Sequence, residues 1–285
     1  MKRKGTVLLI ALLCILMFSS CSHIGASDGS WRKVSDAGVL KVGVYSNIFP
    51  MCMLTGSRCE GYDADLMSEL ASRMGVSVTY VDIARSGKTA EQLMAAGTID
   101  CAIGGVEYST ELERSFLLSE PYLSDEHIIA LPAQSGIGDL ADMAGKVVSV
   151  AVPSSSMDAL RKASLLKDSF AELHECGNDV DALMRFTEHA TDAVIVRRTV
   201  AEYFSANIQP VYFLKTETGT NETLGTMNYV ILLPRDSQSL LDKINETYET
   251  MKRDNVPQQL YNRWFVEKQQ KTAETEEQAI SDDVG

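Results

Sequence analysis

The chain has 285 residues, with 26 Lys and Arg against 39 Asp and Glu and a formal net charge of −13. So acidic a balance argues against a nucleic-acid partner, because Lys and Arg on phosphates supply most of such affinity. An apolar share of 45% is that of a folded globular protein rather than a disordered one, and the length suits one large or two small domains.

At the N-terminus, Met1-Lys2-Arg3-Lys4 is basic, and Thr6 to Phe18 is uncharged and almost wholly apolar. A charged n-region before an apolar run of this length reads as a secretory signal peptide, and the run falls short of the roughly twenty residues a membrane span needs. Phe18-Ser19-Ser20-Cys21 then sets small residues before a cysteine, which resembles the bacterial lipobox. Residues 1–20 are therefore expected to be removed and Cys21 to carry lipid. Each buried methylene of the acyl chains adds about 0.8 kcal/mol of membrane affinity. An ordinary signal peptide with an incidental cysteine, or an uncleaved anchor, is the alternative.

Residues 21–35 lack apolar periodicity and read as a lipidated tether. Leu40 to Val44 reads as a strand. Asp63 to Met74 places Leu66, Leu70, Ala71 and Met74 on one helical face, stopped by Gly75. Residues 77–81 are β-branched and read as the next strand. A helix over 88–96 ends at Gly97, and Asp100 to Ile103 is a further strand. The pattern then restarts with a strand over 146–152 and helices over 156–167 and 180–188. A strand over 193–196 leads into a helix from Val200 to Phe204. Tyr229 to Leu233 is the last strand, before amphipathic helices over 238–253 and 256–265. Residues 267–285 are acidic and read as a disordered tail. Alternating strands and helices imply α/β architecture with largely parallel sheets, and two runs of them imply two lobes.

With Cys21 acylated, Cys52, Cys59, Cys101 and Cys176 remain, an even number in a disulfide-permissive compartment. Cys52 and Cys59 flank a turn-like stretch and are a candidate disulfide, while Cys101 in an apolar strand reads as a buried thiol. No Cys/His spacing suggests a metal, and no phosphate loop or other cofactor motif is present.

Taken together, several stretches resemble the polar-amino-acid class of bacterial solute-binding proteins, which deliver ligands to ABC importers. These are Gly61-Tyr62-Asp63-Ala64-Asp65-Leu66, the strand opening Gly97 to Asp100, and Leu118-Ser119-Glu120-Pro121-Tyr122. Downstream, residues 139–156 resemble the opening strand and ligand turn of the family's second lobe, and residues 191–198 its later Asp-Ala-apolar strand. Gln259 to Phe265 resembles its C-terminus. The resemblance covers about residues 36–266 and implies a two-lobed periplasmic-binding-protein-like clamp with a two-segment hinge. Lobe 1 would be 36–127 plus 224–266 and lobe 2 would be 128–223, with the hinge near Asp125–Leu131 and Leu224–Tyr229. It also implies a monomer, exported and held at a membrane surface beside an ABC permease, that binds a small amino-acid-like solute.

Three family contacts are altered here. The arginine that grips an amino acid's carboxylate in lobe 1 falls on Leu112, with Arg114 two positions later, and the preceding hydroxyl position falls on Glu107. The lobe-2 turn reads Pro153-Ser154-Ser155, and the aspartate that receives the ligand's ammonium falls on Arg197. The expected ligand-binding set is Tyr45, Phe49, Glu107, Ser109, Ser154, Ser155 and Arg197. In it Glu107 takes a cation, while Arg197 and the serine turn take an anion. The aromatic shelf position falls on Gly87, leaving Tyr45, Ile48 and Phe49 as apolar walls. The first alternative is that Glu107 and Arg197 pair with each other across the cleft; the second is that the chain has lost transport and serves as a sensor or partner-binding lipoprotein. Some members of the fold are dehydratases of cyclic acids, a role in which Glu107 would be the general acid. No Ser/His/Asp arrangement supports catalysis, and the protein is read as a binder rather than an enzyme.

Overall fold

A computed structural model of the protein describes residues 28–267, apart from 47, 49, 57, 133 and 134. The expected signal peptide over 1–20, Cys21, Phe49 and all of the acidic stretch beyond residue 267 lie outside the described residues.

Two sheets organise the chain. The first has the strand order Ser77–Asp82, Val39–Val44, Cys101–Ile103, Leu232–Leu233, Leu117–Leu118. Its first three strands are parallel, and the last two join antiparallel. In the second sheet the order is Tyr212–Phe213, Leu123–Leu131, Ala193–Arg197, Val147–Ala151, Glu172–Cys176. There Ala193–Arg197, Val147–Ala151 and Glu172–Cys176 are parallel, while Leu123–Leu131 runs antiparallel to its neighbours. The expectation of mostly parallel sheets is thus corrected to mixed ones: a parallel core in each lobe with antiparallel strands at one end of the sheet. The core strands are apolar on both faces because helices cover both, and Val42, Val44, Ile103, Val148, Val150 and Val194 are all fully buried.

Two strands join the lobes. Leu123–Leu131 and Thr223–Tyr229 contain both expected hinge segments, and they pair with each other from Leu123↔Tyr229 to Ile128↔Thr223, with an irregularity between Thr223 and Gly225. The crossing is therefore one hydrogen-bonded ribbon rather than two separate threads. Behind it, Arg198 and Glu202 of the helix Arg198–Asn207 meet Tyr261 of the C-terminal helix, a second link between the lobes.

Several boundaries differ from those expected. The last residues of the expected tether over 21–35 are folded: Ser30–Ala37 is a helix that buries Val34, and Asp28 fixes its start by accepting hydrogen bonds from Ser239. The helix expected over 156–167 is two, Ser155–Lys162 and Ser164–Lys167, broken at Ala163. The last helix spans Val256–Tyr261 and widens into a π-turn over Asn262–Val266 that buries Phe265. Cys59 lies in a hairpin of Met53–Thr55 with Arg58–Glu60 and Cys52 directly precedes it; their sulfurs are 2.8 Å apart. Cys101 is fully buried, with its thiol pushed up by burial.

Candidate functional site

Four strands end at the same place. The loops after Cys101–Ile103, Val147–Ala151, Glu172–Cys176 and Ala193–Arg197 converge on a cavity of about 610 Å³ between the lobes. Crevices outside the carboxyl ends of α/β strands are where such folds hold ligands. Ile48, Gly105 and Glu107 line it from lobe 1, and the stretches Pro153–Ser155 and Gly177–Asp181 line it from lobe 2, together with Arg197.

Backbone geometry sets the lobe-1 floor. Gly104 has φ +127°, and a Cβ there would sit 2.8 Å from backbone atoms of Tyr45, so only glycine lets the two chains approach this closely. The next amide, Gly105, donates to Asp63 Oδ2 at 2.8 Å. Asp63 is fully buried, and that burial pushes its carboxyl up to about 7, against hydrogen bonding from Gly105 and Tyr122 and the charge of Arg197. The following segment is pinned to the crossing ribbon: Tyr108 donates to the Asn228 carbonyl at 2.8 Å, and Val230 to that of Val106 at 2.9 Å. Glu107 is thereby held facing lobe 2.

Glu107 crosses the cleft. Its Oε1 accepts a hydrogen bond from Ser155 Oγ at 2.6 Å, and Ser155 is the first residue of the helix Ser155–Lys162. Burial raises the Glu107 carboxyl, opposed by the Ser155 hydrogen bond and by the charge of Arg197. Ser154 is the N-cap of that helix: its hydroxyl accepts from Met157 N at 3.1 Å and donates to the Ala151 carbonyl at 2.6 Å. Behind Ser155, Ser156 Oγ meets His127 Nδ1 at 3.1 Å, and burial pushes this imidazole down to about 4.

Arg197 ends its strand at the opposite wall. Its Nε and Nη2 both donate to Asp179 Oδ2, at 3.1 and 2.7 Å, and its Nη1 reaches the Tyr229 hydroxyl at 3.5 Å. Burial works against the guanidinium, yet Tyr229 and Asp179 overcome it and hold it above its ordinary range. Tyr229 in turn faces Asp125 Oδ2 at 3.4 Å, and Asp125 accepts from Thr199 Oγ1 at 2.5 Å. Asp179 opens the helix Asp179–Thr187, capped by Asn178, and its Oδ1 is buried without a hydrogen-bond partner among the described residues.

The structure thus brings together Glu107, Ser155 and Arg197 of the expected set. The expected direct pairing of Glu107 with Arg197 is not formed: no ion pair joins them among the described residues, and each has its own lobe-2 partner. Ser154 is occupied as a cap. Ser109 caps the helix Thr110–Ser115 by accepting from Leu112 N at 3.3 Å and does not line the cleft. Tyr45 packs against the lobe-1 core instead. Leu112 packs there too, while Arg114 is exposed outside the lining. At Gly87 the backbone is left-handed, and open space surrounds the position of a Cβ. Asp179 and Asp181 were missed by sequence reasoning, although Asn178 followed by acidic residues is a readable helix start.

The model for bacterial extracellular solute-binding proteins, family 3, matches residues 40–267. The arginine-binding extracellular protein ArtP of Bacillus subtilis is 23% identical over 265 residues, covering 92% of this chain and 98% of that one. The virulence sensor protein BvgS of Bordetella pertussis is 31% identical over 143 residues, 48% of this chain but 11% of that one. Among solved structures, an ancestral cationic amino acid solute-binding protein superposes with a TM-score of 0.72 at 21% identity, covering 83% of this chain and 99% of that one, which shows a shared fold. With the family matched across both lobes, the chain belongs to the bacterial extracellular solute-binding proteins, family 3.

Proposed function

We propose that this protein is the solute-binding component of an ABC importer, capturing a small amino-acid-like solute between its lobes, and that lipid on Cys21 keeps it at the membrane. One observation carries the reading: Glu107 from lobe 1 and the Arg197–Asp179 pair from lobe 2 line the same interlobe cavity of about 610 Å³. That volume suits a metabolite-sized ligand. The names of ArtP and of the ancestral cationic-amino-acid protein agree with a positively charged solute, for which Glu107 supplies the acceptor.

A second reading, a sensor, is favoured by the match to BvgS. A thermal-shift screen of amino acids, amines and short peptides separates the two. A transport receptor gives a ligand-dependent rise in melting temperature, since anything that binds only the folded state stabilises it. No rise with any solute, together with capture of a protein partner, overturns the transport reading in favour of the sensor.

A further inference from the structure

Two lobe-2 helices begin at the cleft, Ser155–Lys162 and Asp179–Thr187. Helix N-termini attract anions, and a ligand carboxylate would be expected to settle there. In this protein the protein's own carboxylates already stand at both. Glu107 reaches across from lobe 1 to Ser155 Oγ at 2.6 Å, the place such an acid would take. Asp179 and Asp181 fill the first turn of the second helix.

The one cation among the described lining residues, Arg197, spends Nε and Nη2 on Asp179. A carboxylate entering the cleft would meet three carboxylates and a guanidinium already paired. A cation would meet the opposite: Glu107 and Asp181 as acceptors, and Asp179 Oδ1, buried in the cleft wall without a hydrogen-bond partner among the described residues. Buried polar atoms are satisfied as a rule, so an orphaned carboxylate oxygen on a cavity wall points to a donor from the ligand.

We infer that the solute is a cation lacking a carboxylate, an aliphatic amine or guanidine of the size of a decarboxylated basic amino acid. The inference rests on the cleft being the solute site. Glu107 then does two jobs: it holds the ligand cation and, through Ser155, ties the lobes together around it.

Matched pairs test this on the unaltered exported protein by titration calorimetry: agmatine against arginine, putrescine against ornithine, cadaverine against lysine. The expected result is that at least one amine binds at least tenfold more tightly than its amino acid. If an amino acid binds as tightly as its amine or tighter, the inference is overturned while the cleft remains a solute site. If none of the six binds but another amino acid raises the melting temperature, the inference again fails and the transport reading stands. If no solute of any kind binds, both fall. Glu107→Gln, checked for folding by its melting curve, is expected to lose at least tenfold in amine affinity; an unchanged affinity overturns the role given to Glu107.

Discussion

Asp179 and Arg197 form a pair whose side chains are only 12% and 13% exposed, so neither charge can be left alone cheaply. Removing one partner of such a pair costs about 3 kcal/mol, whereas replacing both with apolar residues can be close to neutral. Asp179→Leu is therefore expected to destabilise the fold by roughly that amount, and adding Arg197→Leu to recover most of it, in urea denaturation of the four-member cycle. A double variant no more stable than the single one would refute the pairing. Asp63 gives a prediction with pH. Burial holds its folded carboxyl up at about 7, above the ordinary 3.8, so the stability it contributes is present at low pH and lost as pH rises towards 7. Between about pH 4 and 7, Asp63→Asn is expected to gain on the unaltered protein by up to about 4 kcal/mol, a ceiling set by about 1.4 kcal/mol per pH unit. A difference flat across that range would show that Asp63 does not titrate as described. At this scale the sequence was half legible. Glu107 and Arg197 stood out as charges where the family pattern has others, but Arg197 contacts Asp179, 18 positions away, and Glu107 contacts Ser155, 48 away. Nothing local encodes such partners.

Among the elements, the helix Tyr62–Arg73 depends on the residue before it. Gly61 has φ +133°, and a Cβ there would lie 2.2 Å from the Met51 carbonyl oxygen, so the backbone at Met51 and Cys52 and the helix start can touch only through glycine. Gly61→Ala is expected to cost at least ~2 kcal/mol, from the strained backbone and from the clash. Gly87→Ala, also at positive φ but with open space around it, is expected to cost only about 1 kcal/mol. Equal losses in chemical denaturation would contradict the close approach at Gly61. Strong helical periodicity made Tyr62–Arg73 and Gln238–Arg253 readable. The helix Ser30–Ala37 was not, because its eight residues bury only Val34 and its docking depends on Ser239, more than 200 positions away. The same limit hid the antiparallel strand Leu123–Leu131, whose four closing residues, Ile128 to Leu131, are apolar without alternation and so carry no period to read.

For the whole molecule, the two-lobed plan was legible because motifs of ordinary strength occurred in the family's order along most of the chain. How the lobes meet was not, since that depends on side chains brought together only by folding. The proposed lipid on Cys21 gives the prediction at this scale: Cys21→Ser is expected to move the protein from the membrane fraction to the soluble exported fraction while leaving ligand-induced thermal shifts unchanged. Persistence of the variant on membranes would refute lipid anchoring at Cys21. The ribbon between the lobes has a mechanical consequence. Two separate threads would let one lobe slide, swivel and tilt against the other independently. Strands bonded from Leu123↔Tyr229 to Ile128↔Thr223 cannot slip past one another without breaking that ladder, which leaves bending, eased at the irregularity beside Gly225. The molecule then behaves like a book on a spine, and a single angle between its covers tells whether the page is occupied.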